Sequence, residues 1–208
     1  AVFFENEGNA QEFINRKLVS EDKIVVLNGA GINLEHYMYT PISSRQKNGK
    51  GEVSEDRKIH FLYLGRIMKE KGIDELFTAM RRLHDEYGDR VVLDIVGFFE
   101  DEYKNAVEKL VEDGIAVFHG FQEETRPYYV MADCVVLPSW HEGMSNVLLE
   151  GSAIGRPVIT SDISGCREAV EDGKTGYLCE VKNAEMLFEK LKLMADKSTE
   201  EIEEMGRR

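Results

Sequence analysis

The chain has 208 residues, enough for one large domain with its own core, and 42% apolar with 31% charged residues is the make-up of an ordinary globular protein. A formal net charge of -13 argues against a nucleic-acid partner, which would call for a basic surface. The longest apolar runs, such as 134–138 and 147–149, are far too short to span a bilayer.

The opening at Ala1 has no initiator Met, no basic segment and no apolar segment, so no signal peptide is expected and the start reads as that of a fragment. A helix is expected over 12–18 and a strand over 24–27, followed by a turn at Asn28-Gly29-Ala30-Gly31. From 39 to 57 the chain is polar and Gly/Ser-rich, with cations scattered between Arg45 and Lys58, and reads as a flexible loop. From Ile59 onward short β-branched runs alternate with amphipathic stretches. Strands are expected over 59–64, 91–96, 116–119, 133–137, 157–160 and 176–180. Helices are expected over 73–87, 102–113, 122–131, 145–155 and 165–171; in the first of them Leu76, Phe77, Met80 and Leu83 recur at the helical period. The tail, 184–205, reads as one helix ending near Asp196 and a second capped by Ser198 or Thr199, with Glu200, Glu201, Glu203 and Glu204 on a solvated face.

Strand–helix–strand alternation with links this short means right-handed βαβ units. The expected fold is therefore α/β, a Rossmann-like parallel sheet sandwiched by helices. Cys134, Cys166 and Cys179 form no C-x-x-C pair, which points to free thiols in a reducing, cytoplasmic compartment. No metal-ligand spacing occurs among the histidines and cysteines.

Six strands wound in this way take the order 3-2-1-4-5-6, and a ligand crevice opens at the carboxyl ends of the first and fourth. Those ends carry Gly65-Arg66-Ile67-Met68-Lys69-Glu70-Lys71-Gly72 and Pro138-Ser139-Trp140-His141-Glu142-Gly143. In the first loop Gly65 permits a sharp turn, and Arg66 and Lys71 suit a diphosphate, the one as a planar fork and the other as a point charge. Two solvated surface cations would look the same. The second loop leads into Met144-Ser145-Asn146 and an apolar helix, so Ser145 is a candidate N-cap and the free N–H groups beside it a candidate anion site. Glu142 would stand in the crevice mouth, within reach of sugar hydroxyls. Glu150, further along the helix, could take both hydroxyls of a ribose. An exposed carboxylate and an interhelical ion pair are the simpler alternatives for these two.

Glu142 and Glu150, with seven residues between them, preceded by Leu-Pro-Ser and followed by Gly-Arg-Pro-Val-Ile, resemble the signature of family-4 retaining glycosyltransferases of GT-B architecture. Gly65-Arg66 with Lys71-Gly72, Phe118-His119-Gly120-Phe121, Ala132-Asp133, Glu168-Ala169-Val170, Asp172-Gly173 and Asn28-Gly29 resemble its other landmarks, in order and over nearly the whole chain. The resemblance implies the C-terminal, donor-binding half of a GT-B fold: residues 1–22 a remnant of the N-terminal acceptor domain, 23–58 a linker, and 59–208 the nucleotide-sugar-binding domain. Arg66 and Lys71 would hold the donor diphosphate and stabilise the departing charge, with Glu142 on the transferred sugar and Glu150 on the ribose. Gly65, Gly143, Met144, Ser145 and Asn146 would add backbone contacts, and the base would rest near Gly97, Phe98, Phe118 and His119. The run Gly97-Phe98-Phe99-Glu100 departs from the acidic-glycine turn of many relatives.

The resemblance further implies a UDP-linked hexose or N-acetylhexosamine donor, and a glycan or lipid-linked acceptor in bacterial surface polysaccharide synthesis. Its setting would be the cytoplasm or the inner face of the cytoplasmic membrane. No D-x-D motif is present, so donor binding without a metal and without any cofactor is expected. The missing half implies that this chain binds nucleotide and transfers nothing alone. A sugar-nucleotide epimerase of the same architecture and a binding module without turnover are the alternatives. A dehydrogenase is disfavoured because Gly29-Ala30-Gly31 lacks the third glycine of its fingerprint.

Overall fold

A computed structural model describes residues 1–27, 29, 31–46 and 57–208. Asn28 and Ala30 of the expected turn, and 47–56 of the expected loop, lie outside the described residues. The chain first forms β1 (Val2–Phe4), α1 (Glu7–Asn15) and β2 (Ile24–Val26), in which β1 and β2 pair in parallel. The larger part comprises β3 (Ile59–Leu64), α2 (Ile73–Tyr87), β4 (Val91–Val96), α3 (Lys104–Glu112), β5 (Ala116–Gly120), α4 (Arg126–Met131), β6 (Cys134–Leu137), α5 (Asn146–Ile154), β7 (Val158–Ser161), β8 (Gly176–Cys179), α6 (Ala184–Ala195) and α7 (Thr199–Arg207). Its six strands are parallel in the order β5-β4-β3-β6-β7-β8, the doubly wound order expected from the alternation. No helix among the described residues is long and apolar enough to cross a membrane.

Strands covered on both faces must be apolar throughout. β4 obeys this with Val91, Val92, Leu93, Ile95 and Val96 all buried, and so does β6 with Cys134 to Leu137. The exception is Asp94 in mid-strand, 2% exposed. His60 Nδ1 and His119 Nε2 on the flanking strands each lie 2.7 Å from one of its oxygens, which satisfies the buried carboxylate. α2 buries Leu76, Phe77, Met80 and Leu83, as its periodicity requires, and packs on α6 through Arg82, which pairs with Glu185 and lies 4.1 Å over the Phe188 ring. α5 approaches the sheet closely at Gly151, where a Cβ would come within 2.7 Å of Val135 Cγ2.

Arg156, in the turn after α5, is 1% exposed. Its guanidinium donates to the carbonyls of Thr40 (2.8 Å), Tyr129 (3.0 Å), Val130 (3.1 Å), Gly155 (3.2 Å) and Ile154 (3.3 Å). These belong to α4, to the end of α5 and to the segment before β3, so one side chain ties three pieces of chain together. Asp133 does similar service at the same amino-end rim of the sheet, one strand over. It accepts from Arg57 Nη1 and from the His60 N–H, both at 2.8 Å, while Arg57 Nε reaches Thr199 Oγ1 of α7.

Several expected boundaries shift. The first helix is Glu7–Asn15, earlier than 12–18, because Asn6 supplies an N-cap whose side chain accepts from the Asn9 N–H. The strand β1 was not expected, and it pairs with β2, so a division at residue 22 separates two hydrogen-bonded strands. Only Arg126–Met131 of 122–131 is helical, starting where Pro127 can stand in a first turn. The stretch 165–171 holds a single tight turn, Arg167–Ala169. Part of the expected loop is ordered against the domain: Ile42 is fully buried at the start of the turn Ile42–Gln46, and Thr40 N–H donates to the Ile154 carbonyl.

The last helix carries a full capping box: Ser198 accepts from the Glu201 N–H, and Glu201 returns a carboxylate to the Ser198 N–H. Ser198→Ala is expected to lower the unfolding free energy by about 1 kcal/mol in urea titration. A variant as stable as the parent would show that α7 is held by its packing and by the Arg57–Thr199 contact without need of the cap.

Candidate functional site

The carboxyl ends of β3, β4 and β6 bring three loops together. Gly97 can only be glycine: its φ is +153, and a Cβ there would lie 1.8 Å from the Gly65 carbonyl oxygen, so the loops after β3 and β4 touch backbone to backbone. Gly72, at φ +70, likewise lies against the Pro138 carbonyl, at 2.1 Å from a would-be Cβ. Trp140 N–H donates to the Glu70 carbonyl at 2.9 Å. The crevice walls, 65–72 and 138–146, are thus joined at their bases.

At this junction Lys71 Nζ donates to Glu142 Oε1 at 2.6 Å, and Ser139 Oγ donates to the same oxygen at 2.7 Å. The lysine and glutamate side chains are only 16% and 13% exposed, so water screens their attraction less than at the open surface. Arg66 pairs with Glu100 at 2.9 Å, but there both partners stand in solvent and the pair contributes at most about 1 kcal/mol. Of the residues expected on diphosphate and sugar, Lys71 and Glu142 therefore meet, while Arg66 pairs with Glu100. Beneath them Tyr63 donates its buried hydroxyl to the Arg66 carbonyl. Burial, and then the Glu142 charge, raise the Tyr63 hydroxyl above its ordinary pKa, which keeps it a donor.

Ser145 is the expected N-cap, its side chain accepting from the Leu148 N–H at 3.4 Å. One turn on, Glu150 Oε2 accepts from Tyr129 OH at 2.8 Å. Burial foremost, and the Glu150 charge, push the Tyr129 hydroxyl well up in pKa, so the phenol remains a donor that fixes the carboxylate. On the side of the crevice assigned to the base, the side chains of Phe118 and His119 already have partners within the fold. Phe118 packs its ring on Phe99 with centroids 5.1 Å apart, and His119 is committed to Asp94. The exposed aromatics at this rim are Phe98 and Phe121, in edge contact at 6.0 Å.

Sequence reasoning missed Ser139, Tyr129 and Glu100, which orient Glu142, Glu150 and Arg66. Ser139 lies three residues before Glu142 and could have been read as its local partner. The other two come from distant segments with no sequence signal. Behind the second wall, Gly165 packs on the Glu142 and Gly143 carbonyls, and its own carbonyl accepts from the Ser145 N–H at 2.9 Å. In front, a cleft of about 510 Å³ separates Met144 and Leu149 from Glu5, Asn6, Val26 and Leu27 of the β1–α1–β2 unit.

A family model described as Glycosyl transferases group 1 matches residues 58–197. The N,N'-diacetylbacillosaminyl-diphospho-undecaprenol alpha-1,3-N-acetylgalactosaminyltransferase of Campylobacter jejuni is 29% identical over 194 residues, which are 93% of this chain and 50% of that protein. The capsular polysaccharide biosynthesis glycosyltransferase CapM of Staphylococcus aureus is 29% identical over 205 residues, covering 94% of this chain and 52% of its own length. The chain spans about half the length of these curated relatives. Among solved structures, a TarM variant of S. aureus in complex with fondaparinux, alpha-GlcNAc-glycerol and UDP has a TM-score of 0.79 at 19% identity, covering 100% of this chain and 39% of that one. Anabaena HepE in complex with UDP and glucose has a TM-score of 0.78 at 19% identity, covering 99% and 55%. At such identity these two show a shared fold, a parallel sheet flanked by helices.

Proposed function

The chain belongs to the glycosyl transferases group 1 family, and from that we propose that it is the donor-binding half of a retaining glycosyltransferase that uses no metal. The observation that carries this reading is the contact of Lys71 with Glu142, with the Arg66 loop and the Ser145-capped start of α5 at the same strand ends, those of β3 and β6. A diphosphate entering between the two loops offers Lys71 and Arg66 a second, stronger anion, with first-turn N–H groups of α5 beside them. Glu142, anchored through Oε1 by Ser139, turns its remaining capacity to sugar hydroxyls. As the glycosidic bond to the diphosphate breaks, the two cations stabilise the charge gathering on the leaving phosphate, and the acceptor hydroxyl gives its proton to that phosphate.

UDP is the proposed nucleotide and a hexose or N-acetylhexosamine the transferred sugar, going to a glycan or lipid-linked acceptor of bacterial surface polysaccharide. The relatives named above for capsular polysaccharide synthesis and for an N-acetylgalactosaminyl transfer, and the UDP held by neighbours of this fold, support these choices. Residues 1–22 are assigned to the acceptor-side domain, 23–58 to the linker and 59–208 to the donor domain. The isolated chain binds nucleotide without transferring sugar.

Calorimetric titration with UDP, GDP and ADP, with and without chelator, tests the reading. Saturable UDP binding that is indifferent to chelator is expected. Loss of binding on chelation would overturn the metal-free part, and silence with every nucleotide would overturn donor binding by this chain.

A further inference from the structure

The turn between β1 and α1, Glu5-Asn6-Glu7-Gly8, lies far in sequence from the donor loop yet rests directly on it. Asn6 is 4% exposed and uses both ends of its amide. Oδ1 accepts from the Asn9 N–H at 2.8 Å, the cap of α1, and Nδ2 donates to the Gly143 carbonyl at 2.5 Å. Serine, threonine or aspartate would cap the helix equally well. Of the strongly preferred caps only asparagine also has an N–H to donate elsewhere, and that donor is spent on the residue next to Glu142.

The surroundings leave this contact little freedom. A Cβ on Gly8 would meet Ser164 Oγ at 2.5 Å, and one on Gly143 would meet Glu5 Oε2 at 2.6 Å. From the other side a Cβ on Gly165 would meet the Gly143 carbonyl oxygen at 2.3 Å. A Cβ on Gly29, in the connection after β2, would meet Met144 Cγ at 2.7 Å. The backbone of 142–145 is therefore gripped between the β7 side of the large sheet and the β1–α1–β2 unit, and Asn6 is the polar part of that grip.

We propose that Asn6 is a positioning residue for the sugar end of the donor site: its amide fixes the Gly143 peptide and through it the carboxylate of Glu142. The β1–α1–β2 unit thereby takes part in ordering the donor loop. The nucleotide arm of the test rests on the function proposed above; the hydrogen-exchange arm does not.

Asn6→Asp and Asn6→Ser both keep an N-cap acceptor and both lose the donor to Gly143, the aspartate adding repulsion between oxygens. Amide exchange at 143–148 in the whole 208-residue chain is expected to rise about tenfold in Asn6→Asp and less in Asn6→Ser, with α1 amides unchanged. UDP-glucose and UDP-N-acetylglucosamine are expected to bind about fivefold more weakly to Asn6→Asp, while UDP alone changes less than about twofold. If Asn6 is only a helix cap, both variants leave 143–148 exchanging as in the parent, and the proposal fails. Parent protein that binds no UDP, with the exchange rise intact, would sink the nucleotide reading and leave the positioning role standing. A loss of affinity equal for UDP and both UDP-sugars would overturn the assignment to the sugar end.

Discussion

Arg156→Met is expected to lower the unfolding free energy by about 4 kcal/mol, which for a chain of this size is a fall of roughly 8–16 °C in Tm. The expectation follows from what the guanidinium does. It is a buried hub on carbonyls near helix ends, among them those of Ile154 and Gly155 at the end of α5. Methionine fills a similar volume without donating, so Thr40, Tyr129 and Val130 keep carbonyls in a dry interior with one partner fewer. Arg156→Lys retains the charge but cannot fork toward several segments, so a loss between wild type and Arg156→Met is expected. Thermal unfolding of the three proteins checks this; a methionine variant within about 1 kcal/mol of the parent would refute the hub.

Glu150→Ala is expected to weaken UDP binding by about ten- to hundredfold, the range for hydrogen bonds accepted by a charged group. It also costs stability for a separate reason, because the Tyr129 hydroxyl is buried and loses its acceptor. Adding Tyr129→Phe to Glu150→Ala removes the stranded donor, so the double variant should recover about 1 kcal/mol of stability while its affinity stays low. Calorimetry and urea unfolding on the same three proteins separate the two effects. UDP affinity unchanged in Glu150→Ala would remove the ribose role from this residue, whatever happened to stability.

The sheet was legible because β3 to β8 are separated by segments of another period, and winding rules then leave few orders. Topology alone also brought Arg66 and Glu142 to one crevice, since both stand where neighbouring strands diverge. The β1 strand was not legible: Val2-Phe3-Phe4 is three residues long, and its pairing with β2 is visible only in space. His119 was placed near the base by the resemblance of Phe118-His119-Gly120-Phe121 alone, and its contact with Asp94 went unread. Yet an aspartate inside Val91–Val96 demands a partner, and His60 and His119 stand on the strands to either side, so that pairing could have been anticipated. Asn6, Tyr129 and Glu100 remained out of reach because each meets its partner across the fold, and sequence spacing carries no trace of such a meeting.

A two-stranded parallel sheet is too small to persist unaided. The β1–α1–β2 unit nevertheless shows Val2, Phe3, Phe13, Val25, Val26 and Leu27 to solvent among the described residues, with buried Phe4 in edge contact with Phe13. Its order is therefore lent by the large domain, through the turn at Asn6. Opening of this unit is expected to cost less than global unfolding, and it would uncouple one side of the loop that carries Glu142. Whatever packs on those exposed apolar strands would then bear, through Asn6, on the order of the crevice as well.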